Sequence, residues 1–86
     1  MSAAVFDTYV TRKDGILMHF DIIVPENTPF EQVVGFGKIY LAEKGQAGQP
    51  LTASECRFCH IEQASEPVSA AFAERGYYIF EMQGCN

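Results

Sequence analysis

The chain has 86 residues, 48% of them hydrophobic and 13% aromatic, and eleven acidic against six basic residues give a formal charge of -5. That length suits one domain with one modest core; the acidic balance argues against nucleic acid or an anionic membrane as partner, because a phosphate surface calls for clustered cations, and no apolar run approaches a membrane span. Three cysteines, an odd number, without a charged n-region or apolar h-region after Met1, lead to an expectation of reduced thiols in the cytoplasm and no disulfide framework.

Residues 5–11 and 16–24 are rich in β-branched and aromatic side chains and flank Arg12-Lys13-Asp14-Gly15, which predicts a hairpin. A three-residue loop, Lys13-Asp14-Gly15 with Gly15 in the left-handed position, pairs Arg12 with Ile16. That register gathers Phe6, Val10, Met18, Phe20, Ile22 and Val24 on one face. A two-residue loop mixes the faces, so burial selects the longer one. The opposite face carries Val5, Asp7, Tyr9, Leu17, His19, Asp21 and Ile23, with Asp7 across from Asp21 and Tyr9 across from His19. Facing carboxylates repel, so a cation between them is favoured: Arg57, a bound metal, or a partner's basic side chain. The plain alternative is a pair of solvated carboxylates. As catalytic apparatus the set needs a pocket that shifts its pKa values, and none is visible in the sequence.

Thr28 then reads as a helix cap, with Pro29 at the first position and Glu31 completing a capping box. Phe30, Val33, Val34, Gly37, Tyr40 and Leu41 follow at helical spacing, and Lys44 with Gly45 closes the helix. Gly37 falls on the inner stripe, where the missing side chain permits close approach to the sheet. Gly35 and Gly37 together allow a break near Phe36. A loop over residues 46–52 leads to a strand at 58–63 and a second helix at 67–75. In that helix Val68, Ala71 and Phe72 share one side and Gly76 is the stop. The last strand spans 77–83.

The order ββαβαβ implies an α/β (α+β) two-layer sandwich, a four-stranded mixed sheet with right-handed crossovers and both helices on one face. The face of Asp7, Tyr9, His19 and Asp21 is then left bare, and its apolar members mark it as an interaction surface. A homodimer is the simplest partner. Phe36, Ile39 and an exposed Cys85 thiol are lesser candidates for the same contact.

The remaining chemistry sits in Glu55-Cys56-Arg57-Phe58-Cys59-His60. Read as C-x-x-C-H it is a c-type haem signature; we reject haem, which belongs to an exported, oxidising compartment. Read as half a zinc site it needs His60, His19 or Cys85 to complete four ligands. Extended backbone sends Cys59 and His60 to opposite faces, which argues against that set. A dithiol redox pair is a third reading, supported by Arg57 and His60 nearby, but the motif enters a strand and not a helix N-terminus. The fourth reading is two reduced cysteines in a core or turn.

Asp7-Thr8-Tyr9-Val10, Met18-His19-Phe20-Asp21, the Glu55 to His60 string, and Gly76-Tyr77 with the closing Met82-Gln83-Gly84-Cys85-Asn86 resemble, over essentially the whole chain, a family of small bacterial proteins carried only as a domain of unknown function. The resemblance implies a compact α/β domain and brings no activity or ligand with it. We therefore expect a non-enzymatic binding or interaction domain using the bare face, through Asp7, Tyr9, His19, Asp21 and Arg57. The rival is a metal or redox site at Cys56, Cys59, His60 and Cys85.

Overall fold

The computed structural model describes residues 1–86. Its elements run β1 (Ser2–Thr11), β2 (Leu17–Pro25), α1 (Phe30–Glu43), β3 (Cys56–Gln63), α2 (Glu66–Arg75) and β4 (Tyr78–Gln83). The hairpin has the register that its alternation predicts. Asp7 opposes Asp21 and Tyr9 opposes His19, the Arg12 amide donates to the Ile16 carbonyl at 2.8 Å, and Gly15 sits at φ 88°, a conformation that favours glycine.

The sheet order is β3-β1-β2-β4, and every neighbouring pair is antiparallel, which corrects the expected mixed sheet. Neither helix joins strands that become neighbours. β2 and β3, connected through α1, point the same way but are separated by β1. β3 and β4, connected through α2, occupy opposite edges.

The helices also lie on opposite faces, a second correction. α1 covers Phe6, Val10, Met18, Phe20, Ile22 and Val24 with Val33, Tyr40 and Leu41, aided by Leu51 of the following loop. α2 sets Val68, with Phe72 less deeply buried, against Ala3, Val5 and Ile23 on the other side. Strand ends explain this placement. β3 finishes at Gln63 opposite Ser2; β4 starts at Tyr78 opposite Ile23, itself paired with Val5. α2 thus bridges two edges at one end of the sheet. Three strand spacings make about 14 Å, and a ten-residue helix rises about 15 Å, so α2 lies across the strands and covers only that end.

Helix α1 begins without a side-chain cap. Thr28, expected to provide it, instead donates to the Pro25 carbonyl at 2.7 Å, closing the turn in which Asn27 takes φ 77°. Glu31 stays in the first turn, where a negative charge suits the positive end of the helix. The helix passes unbroken through Gly35 and Gly37. A Cβ at Gly37 would collide with Leu51 Cδ2 and come within 2.9 Å of Ile22 Cδ1, which is the close approach that its position on the inner stripe predicts. At the far end Gly45 takes φ 76° just after Lys44, and Gly76 ends α2 at φ 91°.

Both edge strands carry a bulge. Val5 opposes His60 while Phe6 opposes Phe58, leaving Cys59 as the extra residue. His19 opposes Gln83 while Phe20 opposes Glu81, leaving Met82 as the extra residue. No helix is long and apolar enough to cross a membrane.

Candidate functional site

Because α2 covers one end only, the other half of its face stays open, and β1 and β2 present Asp7, Tyr9, His19 and Asp21 there. The His19 imidazole donates from Nε2 to Asp7 Oδ1 at 2.6 Å. The Tyr9 ring lies on His19 with centroids 4.1 Å apart and planes 11° from parallel, which fixes the orientation of the imidazole. One donor atom each from Asp7, His19 and Asp21 lie within 4.8 Å of one another, the only such convergence of three His, Cys, Asp or Glu side chains. All three are half-buried.

The Asp21 carboxyl is pushed up to about 6, first by burial and then by the charge of Asp7 directly across the ladder; His19 and His60 oppose the shift. Two carboxylates with oxygens within 4.8 Å of each other do not both ionise freely, so one proton, or a cation, is favoured between them. A cleft of about 340 Å³ opens beside Asp21, lined among others by Glu62, Ser65, Val68, Tyr78 and Phe80. Sequence reasoning missed these lining residues. The alternation of β4 was visible, but not that it pairs with β2 and thereby sets Phe80 opposite Asp21.

Arg57 stands opposite Asp7 in register yet is not ion-paired with it; the Asp7 carboxylate meets the His19 ring instead. Val5 and Ile23, counted as part of a bare apolar surface, are buried under α2. What remains exposed and apolar from that set is Tyr9 and Leu17, because the helix expected on the other face shields the rest.

The thiol residues are dispersed. Cys56 is buried on the α1 side, where Thr8 Oγ1 donates to its sulfur at 3.5 Å. Burial pushes this thiol up, the reverse of what a nucleophilic cysteine needs. Cys85, expected as an exposed thiol, is buried in the same core with its sulfur 3.6 Å from the His19 carbonyl. Cys59 is exposed, 3.2 Å from His60 Nδ1, and His60 Nε2 meets Glu62 Oε1 at 2.8 Å. The bulge thus places Cys59 and His60 side by side, where unbroken alternation would have sent them to opposite faces. No three of Cys56, Cys59, His60 and Cys85 bring their donor atoms together.

The chain matches the family model described as a domain of unknown function, DUF2024, over residues 1–82. It is similar to the protein NE1680 from Nitrosomonas europaea, a structural genomics target solved by NMR, at 42% identity over 100% of both chains with a TM-score of 0.87. No match is found among curated proteins.

Proposed function

The chain belongs to the DUF2024 family, and from that premise we propose that it is a non-enzymatic binding domain whose open half-sheet takes a divalent transition-metal ion at Asp7, His19 and Asp21. The convergence of one imidazole and two carboxylates within 4.8 Å carries this reading. Two carboxylates would neutralise the ion, and one nitrogen would favour a borderline metal such as zinc over magnesium or calcium. The Tyr9 stack holds the imidazole in place. The face is open and has no enclosed chamber around the triad, which supports binding and not turnover.

Zinc titration of the chelator-treated protein, followed by calorimetry, tests this. One ion per chain is expected, with affinity falling by roughly tenfold or more in Asp21→Asn. Stoichiometric binding that Asp21→Asn leaves unchanged would sink the reading. A second reading, a zinc site at Cys59 and His60, draws support from their 3.2 Å contact. It would be marked by loss of zinc in Cys59→Ser instead.

A further inference from the structure

We propose that the chain forms a two-fold homodimer in which β3 pairs antiparallel with β3 of a second copy, joining two four-stranded sheets into one. This stands apart from the metal reading. β3 is an edge strand, its residues from Arg57 to Gln63 are exposed, and their backbone forms no hydrogen bond outside the ladder with β1. An unpaired edge of this length is a template for another strand.

The order of side chains says which strand fits. Run antiparallel against itself, Arg57-Phe58-Cys59-His60-Ile61-Glu62 sets Arg57 opposite Glu62 and Phe58 opposite Ile61, twice over by symmetry. In a regular strand this pairing is impossible. Arg57 and Glu62 would point to opposite faces, and residues directly across a ladder must share one. The bulge at Cys59 removes the conflict. Arg57 opposes Asp7 and Glu62 opposes Ala3, both on the α2 face, while Phe58 opposes Phe6 and Ile61 opposes Ala4, both on the α1 face. A two-fold axis normal to the sheet keeps each face on its own side, so both pairs meet.

The monomer leaves Arg57, Phe58 and Ile61 open along this edge, and Glu62 meets only the His60 ring of its own strand, through Oε1 at 2.8 Å. Arg57 has no ion-pair partner, and Phe58 and Ile61 are 56% and 44% exposed. Phe6 links Phe58, at 5.8 Å between centroids, to Phe30 of α1, at 5.9 Å, extending an apolar strip along the edge. The opposite edge has no such complement. β4 contains no basic residue, and its Glu81 is already bound to Lys44 and Tyr40.

Sedimentation equilibrium on the full chain decides the matter. The wild type is expected at twice the chain mass. Arg57→Glu and Glu62→Arg are each expected to weaken the dimer by roughly tenfold to a hundredfold, since each turns two attractive cross-strand pairs into repulsive ones. The double variant Arg57→Glu/Glu62→Arg restores both pairs and should recover the wild-type constant. All these positions are exposed, and circular dichroism checks that each variant folds. A single-chain mass at the highest soluble concentration overturns the proposal and leaves the edge for a foreign strand. A dimer indifferent to either reversal, or one that the exchange of charges fails to rescue, overturns it as well.

Discussion

On one side of the β1–β2 hairpin, Phe6, Val10, Met18, Phe20, Ile22 and Val24 lie under α1 from end to end. On the other side, built from the residues in between, only Ala3, Val5 and Ile23 lie under α2. The next positions along are Asp7, Tyr9, His19 and Asp21. The same two strands therefore present a fully covered face and a half-covered one, because α1 and Leu51 pack over the whole inner stripe while α2 bridges one end of the sheet. Polar and titratable side chains collect where the cover stops, since there they keep partial contact with water and escape the full cost of burial. The first face supplies most of the stability, and the second holds the groups that could bind.

The sharpest way to break this comparison is to truncate one aromatic on each face. Phe20 is fully buried and packs on Tyr40 at 4.7 Å; Phe20→Ala should cost about 3–5 kcal/mol in urea unfolding. Tyr9→Ala, on the open half, should cost only about 1 kcal/mol, the worth of its stack on His19. Equal losses would mean that the two faces are not used differently. Ile23→Ala probes the smaller cluster under α2, and about 2 kcal/mol is expected, the low end for such a change.

The smallest effect has the opposite sign. Asp21 binds its proton more tightly in the folded state, at about 6 against 3.8. Its contribution to stability is therefore fullest below pH 3.8 and is lost as pH rises through 6. Asp7, His19 and His60 are the titratable groups facing it. Asp21→Asn mimics the protonated form. In chelator at pH 7 it should stabilise the protein by roughly 1 kcal/mol, allowing for solvent screening, and the gain should vanish near pH 4. Thermal melts of the two proteins across that range provide the check. A variant that is more stable yet binds zinc less well would show that the open half trades stability for a site.

The hairpin was readable from the chain because two constraints agree on it: the apolar alternation of Phe6 to Val24 and the glycine at position 15. From these followed the face of the candidate site and the oppositions Asp7 to Asp21 and Tyr9 to His19. The side taken by α2 was not readable, since it depends on which edges β3 and β4 occupy, and nothing local distinguishes those edges. For the same reason the cleft beside Asp21 and the opposition of Phe80 to Asp21 stayed hidden. The bulge at Cys59 escaped as well, because a strand bearing one extra residue looks in sequence like any other run of eight. Thr28 misled for a different reason: the helix starts at Phe30 with Pro29 at the cap position, one residue past Thr28, whose hydroxyl donates to the Pro25 carbonyl of the preceding turn.

Helix α2 acts as a ruler laid across the sheet. Its length matches the number of strands it must clear, and each further strand inserted between β3 and β4 would demand about three more helical residues. How wide an aperture it leaves is governed separately, by the heights along β3 and β4 at which it is tied down. Moving both attachment points by two residues would shift the screen about 7 Å along the strands, opening or shuttering the Asp7 to Asp21 window without altering the core beneath α1.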